Sequence, residues 1–281
     1  MRELTIESYG KINLALDVLY KRPDNYHEIK SVMQQISLKD KLIFTEINDG
    51  IVIESDNKEL PLDSSNLIYK AWEKMKSISG INRGIKVKIE KNIPIAAGLA
   101  GGSSNGAATL KALNRLWDLN YTKEELMKIG LSLGADVPFC ILGGTAKAEG
   151  IGEILTPIES FKDKYILLGN PGIGISSAYA YGKIKLNSYR YDIDGLIKCM
   201  ENDDLSCVAK KMKNKMEDAI IKEHPIIQEI KKIMIENGAL NAIMSGSGPT
   251  VFGLFHDLGK MNKAFDALLK RIDKVYKCTT I

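Results

Sequence analysis

Hydrophobic and polar positions alternate from Lys11 to Leu19, with Ile12, Leu14, Leu16 and Val18 on one side and Lys11, Asn13, Ala15 and Asp17 on the other. A period of two predicts a half-buried strand and sets the Lys11 and Asn13 side chains on one face. Arg22-Pro23-Asp24-Asn25 carries turn chemistry, so Tyr26 and His27 follow a loop. Short strands are predicted at 30–38, 41–47 and 51–54, and a helix at 66–77. Ile85, Val87 and Ile89 alternate with charged residues in another strand that runs into Asn92-Ile93-Pro94. Beyond a glycine-rich segment, Ala108, Leu110, Leu113, Leu116 and Trp117 fall on one side of a helix. Thr122 and Glu125 have capping-box spacing for the next helix, which Gly134 ends. Ala135-Asp136-Val137-Pro138 reads as an exposed corner, and Gly143-Gly144 turns the chain into a strand at 145–149.

The rhythm changes after Pro157. A strand is predicted at 165–168, helices between 177 and 223, and a helix at 225–236 closed by Gly238. A strand at 239–244, a Ser245–Pro249 turn and a strand at 250–255 follow, then a helix at 258–272 and a last strand at 275–279. Strand, helices, strand, strand, helix, strand is the order of a ferredoxin-like split unit with a helical insertion. The pattern predicts an α+β chain of two lobes, with domains at 1–157 and 158–281. The basic run 210–215 alternates with Met212 and Met216 and reads as one wet face of a helix.

Composition narrows the setting. The 281 residues are 44% hydrophobic and 26% charged, which excludes a disordered or collagen-like chain. A net charge of +4 is too weak to predict a nucleic-acid polymer as partner. No apolar run approaches the roughly 18 residues of a membrane span, and the N-terminus lacks signal-peptide character. The expectation is a cytoplasmic chain without a membrane partner. Cys140, Cys199, Cys207 and Cys278 show no zinc spacing and are expected to be small buried residues without disulfides. His27, His224 and His256 have no metal-ligand spacing either.

Gly98–Ser104 is the strongest local signal for chemistry. Three glycines and two serines lie between a strand and a helix, where backbone N–H groups and the positive end of the helix dipole favour phosphate. No Gly-Lys-Ser/Thr closes it, and it is not G-x-G-x-x-G, so it is neither a P-loop nor a dinucleotide fingerprint. Lys11 and Asp136 are each ordinary alone, a solvated lysine and a turn residue. Beside a phosphate loop they supply a cation and a proton acceptor for phosphoryl transfer to an alcohol. Ser245-Gly246-Ser247-Gly248 has no nucleophile-elbow frame and reads as a tight turn or a second phosphate-facing loop.

Taken together, these residues resemble the GHMP kinases. Pro94, Ile95, Ala96, Ala97, Gly98, Leu99, Ala100, Gly101, Gly102, Ser103 and Ser104 resemble that family's Pro-x-x-x-Gly-Leu-x-x-x-Ser-Ser loop. Gly10–Leu14, Asn25-Tyr26-His27, Gly134–Pro138, Glu149–Glu153, Pro171-Gly172 and Met244–Gly248 resemble further landmarks of one branch, in order. The resemblance implies an N-terminal lobe like the second domain of ribosomal protein S5 and a ferredoxin-like C-terminal lobe. It implies ATP with Mg2+ bound through Pro94–Ser104, and Lys11 and Asp136 as the catalytic pair. The branch's substrate is a small molecule carrying a cytidine diphosphate, phosphorylated on a 2-hydroxyl in isoprenoid precursor synthesis. Asn13, Tyr26, His27 and Ser177 would hold it, with Tyr26 stacked on the cytosine and His27 bonded to its edge. Other kinases of the family, of homoserine or mevalonate type, and a catalytically silent member remain alternatives. Tyr9-Gly10 replaces the usual Pro-Ala, Asn105-Gly106 stands where many members have Asp-Ala, and Ala96, Ala97 and Ala100 replace glycines.

Overall fold

Two long strands open the chain, β1 (Glu3–Lys21) and β2 (His27–Ile47), joined by a turn in which Arg22 N–H donates to Tyr26 O (2.8 Å). They belong to a computed structural model that describes residues 2–159 and 161–281; residues 1 and 160 of the expected domains lie outside it. There follow β3 (Ile51–Ser55), α1 (Leu67–Ser79), β4 (Gly84–Glu90), α2 (Gly101–Leu116), α3 (Lys123–Leu131) and α4 (Val137–Leu142). Next come β5 (Thr145–Glu149), β6 (Ile154–Pro157), β7 (Tyr165–Asn170), α5 (Ser177–Lys183), α6 (Ile193–Glu201), α7 (Leu205–Lys211) and β8 (Lys213–Asn214). The chain ends with α8 (Glu217–Glu223), α9 (Ile226–Glu236), β9 (Asn241–Met244), β10 (Val251–Phe255), α10 (Leu258–Leu269) and β11 (Lys274–Thr279).

Among the described residues the strands form two sheets. One follows the path β3-β4-β2-β1-β8, with β5 paired to β2 and β6 to β5. The other is antiparallel in the order β11-β7-β10-β9. Numbered within that unit, the second order is fourth, first, third, second, which is the ferredoxin-like arrangement the sequence predicts. The helix signals also hold. Asn66 caps α1 by accepting from Ile68 N–H, Gly80 ends it in the left-handed region, and Thr122 and Glu125 form the capping box of α3.

The chain divides into two contact units. The first comprises Met1–Gly10, Leu38–Ile95 and Ala100–Gly143, the second Lys11–Ser37, Ala96–Leu99 and Gly144–Ile281. The core of the first gathers Phe44, Val87 and Ile89 from strands with Trp72, Met75, Leu110 and Leu113 from α1 and α2. That of the second gathers Leu167, Phe255, Ile230, Met234 and Leu268 with Leu16, Val18 and Ile29. Each such side chain contributes about 1.5–3 kcal/mol on full burial.

Several expectations change. The basic run 210–215 is not one face of a helix, because α7 ends at Lys211 and Lys213–Asn214 forms β8. The predicted strands 30–38 and 41–47 are one continuous β2, because Asp40 between them is buried and bonded within the chain rather than turning it. The predicted corner at Asp136 is the start of a short helix, α4, with Pro138 in its first turn where a missing N–H costs nothing. Cys199 and Cys207 form a disulfide, with Cα atoms 5.6 Å apart. Asp204 N–H donates to Cys199 O, and that turn brings α7 against α6 and the two sulfurs together. Cys140 and Cys278 are buried, as expected.

Candidate active site

The glycine loop connects β4 to α2 through backbone that alternates in handedness. Ala96, Gly98 and Ala100 have φ of 50°, 74° and 55°, while Ala97 and Leu99 between them are buried and anchor the loop. Alternation of this kind turns successive N–H groups toward one side, the arrangement that makes an anion-binding concavity. At Gly98 a Cβ would collide with the carbonyl of Ser245, so only glycine fits. α2 then starts on Ala100, which has no side chain able to cap it. The amides of Gly101, Gly102 and Ser103 have no preceding helical carbonyls to bond, and Gly102 is exposed. Such a start presents N–H donors and the positive dipole end to an anion. Ser104 is different. Its hydroxyl donates to Tyr9 O (2.7 Å) and accepts from Ser8 (2.8 Å), and its N–H bonds Ala100 O.

In the second unit, β1 is buried on both faces rather than one. Lys11 and Asn13 are almost fully buried, and their alternating face is lined by bonds instead of water. Lys11 Nζ donates to Asn13 Oδ1 (2.8 Å), Asn13 Nδ2 to Ser31 Oγ (2.9 Å), and Ser31 Oγ to Ala15 O (2.6 Å). Lys11 N–H also donates to Leu99 O (3.0 Å), so the strand holding the lysine is tied to the glycine loop. Ser245 Oγ donates to Gly98 O (2.9 Å). These contacts bring Lys11, Asn13, Gly98 and Leu99 into one cluster.

Asp136, in the first unit, is the residue on which α4 begins, and its side chain does not cap that helix. The helix itself is fixed from its far end. Lys111 Nζ donates to Cys140 O (3.1 Å) and Lys123 Nζ to Leu142 O (2.8 Å), cations at the end where the dipole is negative. Pro94, Ile95 and Ala100–Ser104 belong to this unit as well.

The expected substrate residues lie in the second unit. Tyr26 is 58% exposed, at the end of the β1–β2 turn. His27 stacks on Tyr181, with ring centroids 4.9 Å apart and planes 15° from parallel. Burial, helped by the charge of Lys21, pushes the His27 imidazole below its ordinary pKa, so the ring is neutral at physiological pH. Ser176 caps α5, leaving Ser177 as its first residue, and Ser177 Oγ lies 3.2 Å from Ser247 Oγ. The sequence gives no reason to single out Tyr181. Its only signal is the run of aromatics at Tyr179 and Tyr181 shortly after Pro171-Gly172.

Comparison with known proteins decides the family. Residues 66–144 match the model of the GHMP kinases N terminal domain, and residues 196–274 match GHMP kinases C terminal. The chain belongs to the GHMP kinases. It is 46% identical over 271 residues to the 4-diphosphocytidyl-2-C-methyl-D-erythritol kinase of Alkaliphilus metalliredigens, covering 95% of this chain and 93% of that one. A crystal structure of 4-(cytidine 5'-diphospho)-2C-methyl-D-erythritol kinase superposes with a TM-score of 0.85 at 27% identity, covering 99% of both chains. The L. major mevalonate kinase, solved with R-mevalonate, shares the fold of this GHMP kinase: its TM-score is 0.78 at 17% identity, covering 98% of this chain and 95% of that one. Membership carries ATP-dependent phosphorylation with it.

Proposed function

We infer that this GHMP kinase transfers the terminal phosphoryl group of ATP to the 2-hydroxyl of 4-diphosphocytidyl-2-C-methyl-D-erythritol. The observation that carries the substrate is the 46% identity, over 95% of the chain, to a kinase named for it. The reaction belongs to the isoprenoid precursor route that does not use mevalonate, and it runs in the cytoplasm. Homoserine and mevalonate kinases are the rival readings, and the mevalonate kinase match at 17% identity supports the fold alone.

The loop geometry supports the ATP half of the reaction. Amides of Gly98–Ser103, turned by alternating handedness and by the uncapped start of α2, would receive the phosphates. Magnesium arriving with the nucleotide would neutralise phosphate charge there. Lys11, held by Asn13, would stabilise charge on the transferring oxygens, and Asp136 would accept the proton of the attacking hydroxyl. Tyr26, exposed, would stack on the cytosine ring, and His27, held against Tyr181, would bond its edge. Asn13 and Ser177 would bond the remaining polar groups of the substrate.

A kinase assay offering the diphosphocytidyl substrate beside homoserine and mevalonate tests the assignment. Preference for the first is expected, and equal or better use of either rival would sink it. Asp136→Asn is expected to lower kcat by about 10²–10⁴-fold, the usual worth of a positioned base. Undiminished turnover would remove Asp136 from that role.

A further inference from the structure

Asp40 is fully buried in β2, and both its oxygens are engaged. Oδ1 accepts the backbone N–H groups of Asn92 (2.7 Å) and Ile93 (2.8 Å). Oδ2 accepts from Lys91 Nζ (2.5 Å) and from Asn105 Nδ2 (2.8 Å). Lys91, its side chain 2% exposed, donates in addition to Ile93 O (2.8 Å). Asn92 and Ile93 immediately precede the loop Pro94–Ser104, and Asn105 immediately follows it. One carboxylate therefore bonds both ends of the glycine loop. From Asn105 the bonds continue to Ser8 Oγ (2.9 Å), from there to Ser104 Oγ, and on to Tyr9 O.

The chemistry at position 40 is exacting. Four donors converge on two oxygens, which is the full capacity of an ionised carboxylate. An amide of the same shape would aim its own N–H groups at donors in either orientation, at Lys91 and Asn105 or at the backbone N–H groups of Asn92 and Ile93. Burial pushes the Lys91 ammonium down from its ordinary pKa, while the Asp40 carboxylate beside it opposes that fall.

We propose that Asp40 is a positioning residue for phosphoryl transfer: it ties the entry and exit of the Pro94–Ser104 loop and so sets the spacing of the amides that receive the phosphates. This rests on the reading that the loop binds ATP. A buried charge pair contributes little net stability compared with an apolar replacement, but it fixes geometry. Here the geometry fixed is that of a loop whose function depends on where its N–H groups point.

The test compares Asp40→Asn with Asn114→Ala. Asn114 bonds Tyr121 at the opposite end of α2, so its loss weakens the same helix without touching the loop. Asn105→Ala serves as a milder second variant that releases only the loop's exit, should Asp40→Asn fail to fold. Steady-state kinetics and amide hydrogen exchange of residues 92–105 are read on each. Asp40→Asn is expected to raise the KM for ATP about tenfold, leave the KM for the alcohol substrate within about twofold, and speed exchange across the loop. Asn105→Ala should do the same about threefold. Loop exchange and an ATP KM that move no more than in Asn114→Ala, at equal loss of thermal stability, would overturn the proposal. Wild-type protein that does not use ATP would instead defeat the functional reading, while the exchange contrast still decides whether Asp40 holds the loop.

Discussion

Gly98–Ser104 and Ser245–Gly248 are alike in composition, and their backbones are used in different ways. In the second segment the chain closes on itself. Ser245 N–H donates to Thr250 O, Gly248 N–H to Ser245 O, and the carbonyls of Met244 and Gly246 both accept from Asn214 Nδ2 (2.7 and 2.8 Å). Residues 245–250 are buried throughout. In the first segment the backbone alternates in handedness, the helix start is uncapped, and Gly102 faces solvent. Glycine in the turn lets the chain satisfy its own polar groups. In the loop it lets the backbone alternate in handedness ahead of an uncapped helix start. Composition alone does not separate the two roles; the destination of the hydrogen bonds does.

The contrast can be broken most sharply at Gly98, where the two segments touch. Gly98→Ala places a methyl against Ser245 O at a φ of 74°, and we expect at least a 100-fold loss of kcat/KM. A stability loss of about 2 kcal/mol or more should accompany it in urea titrations. A variant that stays active and stable would mean the loop and turn are not in register as described. Asn214→Ala is next. It strands two buried carbonyls, at a cost of about 1–3 kcal/mol, and ATP KM should stay within about threefold because no loop amide depends on it. An ATP KM that climbs as far as in Gly98→Ala would erase the distinction between a holding and a receiving segment. Ser245→Ala removes the single hydroxyl bond to Gly98 O, and chemical denaturation should report about 0.5–1.5 kcal/mol. The smallest effect is expected from Ala100→Gly. Relief of a left-handed alanine, about 1–2 kcal/mol, is offset by about 0.5–1 kcal/mol of glycine entropy. A small rise in Tm should result, and a fall would show that Ala100 is not strained.

Much of this was legible in the residues. The glycine loop announced itself by lying between a strand pattern and a helix pattern. Thr122 and Glu125 marked their helix through a purely local bond pair, and the strand order of the second sheet followed from short, well-separated periodic segments. What escaped depends on partners distant in sequence. Leu38-Lys39-Asp40-Lys41 looks like a charged break between strands, and only Lys91, Asn92, Ile93 and Asn105, more than fifty residues on, make Asp40 a buried acceptor. The face of β1 with Lys11 and Asn13 read as solvent-facing because nothing local shows that Ser31 will line it. α4 looks like a corner in the sequence because six residues are too few for a helical period to register.

The bond from Ser245 to Gly98 spans 147 residues of chain. Synthesis at about 5–20 residues per second means the loop is made roughly 7–30 s before its latch leaves the ribosome. A nascent chain halted within that interval would carry the glycine loop without the turn that holds its centre. Nucleotide capture should therefore come late in this protein's biogenesis, after the hairpin of β9 and β10 has emerged.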